Sequence, residues 1–393
     1  MQTRLPEKFL ASIQGQRADE ILRKCVHCGF CNATCPTYLL SGDELEGPRG
    51  RVYLIKEMLE GQQTSASTQQ HLDSCLSCLN CQTTCPSGVD YAELIELGRT
   101  HCDQTSKRSL YDQFRRWLVR KVFTQPLILQ PLFTLATWLK IYAKPVRIDY
   151  PIPPFTSDKV IILDGCVQSV TAPNINNSLV KLLATQDIAA LRHKQTQCCG
   201  ALDYHNGDQR RAKLVIKNNI DTWWPDIEQG VKTILMTASG CGLTVKDYAR
   251  IMAEDEDYAA KARVVSSITQ DVSEYFTDFK FCKNESFNNV AFHSPCTLQH
   301  GQKINGIVET LLTRSGYNVI EYADSHLCCG SAGSYSLLHT EKANYFRAEK
   351  LANIEAQPID VIATANIGCL MHLQQGTELP VKHWLELVTM EKS

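Results

Sequence analysis

Two cysteine runs near the start of the chain limit its fold more than any other feature. Cys25, Cys28, Cys31 and Cys35 precede Pro36, and Cys75, Cys78, Cys81 and Cys85 precede Pro86. Both runs read C-x2-C-x2-C-x3-C-P and lie 50 residues apart. A second duplication follows. Cys166 and Cys198 are 32 residues apart, as are Cys296 and Cys328. Each second site is a doublet before glycine, Cys198-Cys199-Gly200 and Cys328-Cys329-Gly330, and each copy ends in one more cysteine, Cys241 or Cys369. Cys102 and Cys282 fit neither pattern. Two unrelated cysteine frameworks, each present twice, imply separately folding parts.

The N-terminal spacing is that of two-cluster ferredoxins, in which thiolates hold 4Fe–4S cubes. Three thiolates at i, i+3 and i+6 wrap three corners of a cube. The fourth cysteine, displaced and followed by proline, serves the other cluster. Cys25, Cys28, Cys31 and Cys85 are therefore assigned to one cube, and Cys75, Cys78, Cys81 and Cys35 to the other. Zinc sites also use C-x2-C pairs, but with a loop between two pairs rather than an unbroken triplet. Between the runs lie Arg49 and Arg51. A cation there either raises a cluster's reduction potential or decorates a solvated turn after Pro48, and both readings stand at this point.

The chain has 393 residues, too many for one ordinary core, so two or three domains are expected. Forty basic against 42 acidic residues leave no basic excess for nucleic acid. The first 20 residues carry no apolar signal region, and no stretch reaches the roughly 18 apolar residues of a membrane span. A cytoplasmic location follows, where thiols stay reduced and dense cysteine means metal or redox chemistry.

The architecture expected is α+β and multidomain. Residues 1–101 read as a mostly helical two-cluster module. Helices are expected over VYLIKEMLE, with Tyr53, Leu54, Met58 and Leu59 as its stripe and Gly61 as its stop, and over YAELIELGRT. Residues 102–157 read as a helical connector. From Lys107 to Arg147 it holds nine basic residues and one acidic residue, a local charge of +8. Leu110, Phe114, Trp117 and Leu118 form an apolar face, with Arg115, Arg116 and Arg120 off it. Such a segment either packs on the rest of the protein or offers a surface to anionic lipid, on the inner face of the cell membrane, or to a partner. YPIPPF at 150–155 marks a break.

Residues 158–285 and 286–393 are the two copies of an α/β repeat. In each, an apolar strand leads to the first cysteine, a helix follows, and a weaker strand leads to the doublet. A longer helix and a third strand then lead to the last cysteine. This β-α-β-α-β order puts Cys166, Cys198, Cys199 and Cys241, and likewise Cys296, Cys328, Cys329 and Cys369, just past strand C-termini, where parallel sheets bind ligands. Four soft thiols there suit a further iron–sulfur cluster, zinc, a redox thiol pair or a vestigial site that holds nothing. His205, His293, His326 and His372 lie near these cysteines in sequence. Most lone histidines are ordinary core or surface residues; one of these could hydrogen-bond cluster sulfur or carry a proton. No dinucleotide-binding glycine motif and no P-loop occurs, so a partner must supply the group that oxidises an organic substrate.

CVHCGFCNATCPTYLLSGDELEGPRGR, CLSCLNCQTTCPSGVDY, CCGALDYH, NNIDTWWP, TASGCG, HSPCTLQHGQKING, SHLCCGSAGSY, TANIGC and VKHWLELV together resemble the iron–sulfur subunits of bacterial glycolate oxidase along nearly the whole chain. The resemblance implies two 4Fe–4S clusters and a complex with two flavin-containing subunits. These oxidise glycolate, and also D-lactate, and the iron–sulfur subunit passes the electrons to a membrane quinone. The duplicated part is similar to the cysteine-rich CCG domains of heterodisulfide reductases. There a C-x-x-C often ends the motif, whereas here Thr244 and His372 stand in place of the final cysteine. The competing expectation is a self-contained thiol or disulfide reductase fed by the N-terminal clusters.

Overall fold

The computed structural model describes residues 1–138, 158–196 and 198–390. The proline-rich break at 150–155 and the basic residues Lys140, Lys144 and Arg147 lie outside the described residues.

The first hundred residues are helical, as expected. The principal helices are α1 (Ile13–Lys24), α2 (Pro48–Leu59) and α3 (Tyr91–Thr105). Ser12 caps α1 by accepting from the Gly15 amide, and Asp90 caps α3 by accepting from Glu93. Pro48 opens α2, where its missing N–H costs nothing. The buried stripe of α2 is Val52, Ile55, Met58 and Leu59, not the one centred on Tyr53, which is exposed. That face is chosen by α3. Gly98 lets the helices approach so closely that a Cβ there would lie 2.6 Å from Ile55 Cγ1. Cys75, Cys81 and Cys102 are part of this core, so its packing is built partly around thiols.

Two connector helices follow, α4 (Leu110–Phe123) and α5 (Pro126–Trp138). The expected division of α4 is inverted. Arg116 is buried and pairs with Asp73 (2.9 Å) and Asp112 (3.0 Å), beside the bridge from Arg108 to Asp73. Arg115 and Arg120 donate to the carbonyls of Leu337 and Asn206. Leu110, Tyr111, Phe114 and Trp117 face outward, as do Leu127, Leu132, Leu135 and Trp138 of α5. Half-buried carboxylates and backbone carbonyls draw the arginines inward, and the apolar face is left without cover among the described residues.

Each repeat is a four-stranded parallel sheet. The first contains β1 (Lys159–Ile162), α6 (Asn174–Thr185), β2 (Ala189–Arg192), α7 (Gln209–Glu228), β3 (Ile234–Met236), α8 (Ser239–Lys246) and β4 (Thr269–Asp271), with strand order β2-β1-β3-β4. The two-residue β5 (Cys282–Lys283) leads to the second repeat. This contains β6 (Asn289–His293), α9 (Ile307–Arg314), β7 (Asn318–Val319), α10 (Thr340–Glu355), β8 (Val361–Thr364), α11 (Ile367–Gln374) and β9 (Val381–His383). Its order β7-β6-β8-β9 matches the first, and a final β10 (Val388–Thr389) pairs antiparallel with β5.

The fourth strands, β4 and β9, are additional to the expected three. Each is only three residues long and mixed in polarity, so neither shows an apolar run. Both end in a fully buried capping residue, Asp271 or His383, whose partner three residues on is Glu274 or Glu386. Alternate residues of β1 enter different cores. Val160 and Ile162 join one shared with β6, β8 and Trp384, while Ile161 packs with Trp223 and Met236. Strands covered on both faces read as continuous apolar runs, which is why β1 and β6 are plain in the sequence.

Candidate functional site

The two N-terminal runs fold alike. His27 and Gly29 in the first, and Ser77 and Leu79 in the second, occupy the same two gaps and all have left-handed backbones, with φ of 56, 83, 49 and 63°. Three of these are not glycine, a conformation that proteins keep where a site requires it. The turns wrap each triplet around a hollow. After each triplet, at equivalent places in the two runs, Thr34 and Thr84 meet at 3.1 Å between hydroxyl oxygens. The fourth cysteine of each run lies with the triplet of the other. One cavity is lined by Cys25, Cys28, Cys31, Cys81 and Cys85. The other is lined by Cys35, Cys75, Cys78 and Cys81.

The eight cysteines of these runs are free thiols. Burial, with neighbouring Cys25, pushes Cys31 up to about 11, and burial followed by neighbouring thiols holds Cys78 and Cys81 well above the ordinary range. Four such thiolates cannot ionise together without positive charge among them. Apolar walls, reduced soft donors and fourfold convergence fit a cluster in each cavity.

The two arginines between the runs separate. Arg49 borders the first cavity and pairs with Glu44 at 2.6 Å, partly exposed. Arg51 is fully buried in the wall of the second. It donates to Thr37 Oγ1 (3.1 Å), to the His71 carbonyl (2.8 Å) and to Glu46 (3.0 Å). Burial would raise the Cys75 thiol, but Arg51 and Arg99 outweigh it and hold Cys75 below its ordinary range. The solvated-turn reading therefore does not hold for Arg51.

In each repeat the four expected cysteines meet past the strand ends. Neighbouring thiols shift one another's ionisation along Cys166, Cys198, Cys199 and Cys241 in the first and along Cys296, Cys328, Cys329 and Cys369 in the second. The glycine after each doublet is left-handed, and its amide donates to the first doublet sulfur at 3.4 Å in both copies. A Cβ on Gly330 would lie 2.5 Å from the Ala343 carbonyl, so α10 seats directly on the turn.

The surroundings differ. Cys296 and Cys328 pack in one apolar group with Leu76 and Cys78 of the N-terminal module. Asn80 and Thr83 bind the His326 carbonyl and the His300 ring, and Lys342 reaches Ser74 (2.6 Å) and Glu46 (3.3 Å). The first repeat meets the module at His205–Glu96 (2.8 Å) and Gln209–Thr100 (2.8 Å).

Of the four histidines singled out, only His293 reaches a thiol group. His205 serves the module interface, the His326 ring is exposed, and His372 Nε2 faces the Ala343 carbonyl. Asn366, which donates to Cys369 Sγ at 3.5 Å, carries no sequence signal beyond its place three residues before a cysteine. Cys102 sits in the helical core, and Cys282 lies on β5.

Family models for a 4Fe-4S dicluster domain and for a cysteine-rich domain match residues 21–89 and residues 160–246 and 290–374. The chain is 44% identical to the glycolate oxidase iron-sulfur subunit of Escherichia coli, over 99% of this chain and 98% of that one. The chain belongs to the glycolate oxidase iron-sulfur subunit family. A probable glycolate oxidase iron-sulfur subunit of Bacillus subtilis is 27% identical over 95% of this chain and 94% of its own. A lactate utilization protein A of Geobacillus is 22% identical, covering 58% of this chain and 98% of its own. Among solved structures, a hypothetical protein from Helicobacter pylori shares the fold, with a TM-score of 0.51 and 10% identity over 96% of this chain and 73% of that one. As a member of this family the chain is an iron–sulfur electron-transfer subunit of an oxidoreductase. No helix among the described residues is long and apolar enough to cross a membrane.

Proposed function

We propose that the chain collects electrons from two flavin-containing subunits that oxidise glycolate, and D-lactate, and delivers them to a quinone at the inner face of the cell membrane. Cys25, Cys28, Cys31 and Cys85 would hold one 4Fe–4S cube; Cys75, Cys78, Cys81 and Cys35 would hold the other. The cysteine groups of the repeats, above all Cys296, Cys328, Cys329 and Cys369, would hold a further cluster. When bound, such a cluster takes up and releases one electron at a time.

The observation that carries this reading is the succession of thiol groups. The two N-terminal cavities adjoin, sharing Cys81 and Tyr91, and the second shares an apolar contact with Cys296 and Cys328. The chain's residues keep that line dry and charge-balanced. Leu76, Tyr335 and Phe346 exclude water between module and second repeat. Arg51 and Arg99 offset thiolate charge at Cys75. The exposed apolar face of α4 and α5 would provide the docking surface for the flavin subunits or the membrane.

The chain alone is expected to leave glycolate unoxidised, and to restore quinone reduction when added to the flavin subunits. Glycolate-dependent dye reduction by the flavin-free chain would contradict the proposal. The reductase reading fails in turn if the cluster-loaded chain reduces no disulfide.

A further inference from the structure

At the thiol group of the second repeat one buried polar atom has no partner. His293 ends β6 and is fully buried. Its Nδ1 lies 3.1 Å from Thr364 Oγ1 on the adjacent β8, which fixes the ring. Its Nε2 is buried without a hydrogen bond. His293, Cys329 and Cys369 each offer a ligand atom, all within 4.8 Å of one another. An unsatisfied buried polar group is costly, so one kept in a native site points to a partner that satisfies it.

The supporting groups match a metal centre. A ligating imidazole commonly hydrogen-bonds through its other nitrogen, as His293 does to Thr364. Asn366 steadies Cys369 by donating to its sulfur, while its Oδ1 accepts from the Gly240 amide at 3.4 Å. The first repeat lacks both devices: counted back three from Cys166 and Cys241 stand Leu163 and Ala238.

We propose that His293 Nε2, with the thiolates of Cys329 and Cys369, ligates iron in a mixed nitrogen–sulfur cluster site of the second repeat, with no counterpart in the first. This rests on the electron-transfer reading and deepens it. Neutral imidazole in place of a thiolate removes one negative charge from the ligand set, which raises the reduction potential. The second repeat would then be a favourable destination for electrons leaving the adjacent module.

Pulsed EPR on the reduced, anaerobically purified full chain tests this, with 15N-histidine labelling and iron counting. The wild type is expected to hold more iron than two cubes account for, and to show a directly bound histidine nitrogen whose coupling shifts with the label. His293→Cys should retain the iron and lose that coupling. His293→Ala should lose the extra iron and keep both N-terminal signals. The inference is overturned if the extra cluster shows no histidine coupling, if His293→Cys leaves the coupling unchanged, or if the extra metal is zinc. It is also overturned if iron never exceeds two cubes while both N-terminal signals are present. Absence of those two signals would instead sink the reading it rests on.

Discussion

The two cysteine-rich repeats have the same strand order, the same doublet-glycine turn and the same chain of four thiols. What surrounds the thiols differs. In the first repeat the neighbouring Cys198 lowers the Cys199 thiol, but Cys241 and burial outweigh it, and Cys199 is held well above the ordinary thiol range. In the second, the neighbouring Cys328 and Cys369 overcome burial, and Cys329 is held well below it. The second thiol group also abuts Cys78, whereas the first repeat meets the module through His205 and Gln209. The two copies thus share a scaffold and differ in the few side chains around the thiols; on the proposed reading it is the second that accepts electrons.

The largest effect that would sharpen this comparison lies at Cys78. Cys28→Ser and Cys78→Ser should each lose iron and make residues 1–101 protease-sensitive, because that core is built around thiols. Only Cys78→Ser should also loosen the facing part of the second repeat, residues 326–346, with amide exchange there faster by at least about tenfold. Exchange within 160–246 should stay as in the wild type. Equal loosening of both repeats would break the distinction.

Next in size is Arg51→Met. It leaves Glu46 buried without its main counter-charge, and breaking a buried pair costs roughly 3–5 kcal/mol. His205→Ala, at the other interface, removes a partly exposed contact and should cost no more than about 1 kcal/mol. Comparable losses in thermal unfolding would show that the module grips both repeats equally.

A smaller, pH-dependent contrast comes from the capping residues of β4 and β9. Burial lowers His383 to about 4, against a bond to the Thr237 carbonyl. Its folded form binds fewer protons than the unfolded chain, so its contribution is complete above about 6.5 and is lost as pH falls towards 4. Burial raises Asp271 to about 6, against bonds from Ser273. Its contribution is complete below about 4 and is lost as pH rises through 6. Asp271→Asn should therefore stabilise the protein at pH 8 relative to pH 5, and His383→Gln should flatten the acid side. Unfolding temperatures at those pH values check both signs.

The smallest effect on stability belongs to the outward face of α4. Trp117→Ser with Phe114→Ser should change stability by no more than about 0.5 kcal/mol. It should nevertheless weaken retention by partners or membrane, measured by copurification and sedimentation.

The sequence announced what repetition and spacing encode. Both cysteine frameworks were legible, as were the strands buried on both faces and the long helices. Two kinds of feature were not. The three-residue β4 and β9 carry no apolar period, so only the matching Asp271–Glu274 and His383–Glu386 pairs hint at them. The orientation of α4 was hidden because side-chain pattern favours an apolar face turned inward, while Asp73 and two distant carbonyl segments pull the arginines in. Such partners are remote in sequence. The difference between His293 and Leu163 was present in the letters, but it acquired meaning only once Thr364, Cys329 and Cys369 were placed around the ring.

The central claim, that the second repeat is the working copy, is tested most directly by single-turnover reoxidation in the complex with flavin subunits. The clusters are first reduced with glycolate, then mixed with a quinone analogue, and followed by freeze-quench EPR. Cys328→Ser is predicted to let the two N-terminal cubes become reduced and stay reduced, while Cys198→Ser reoxidises like the wild type. Equal blockage by both variants, or unimpaired reoxidation in Cys328→Ser, would contradict the account.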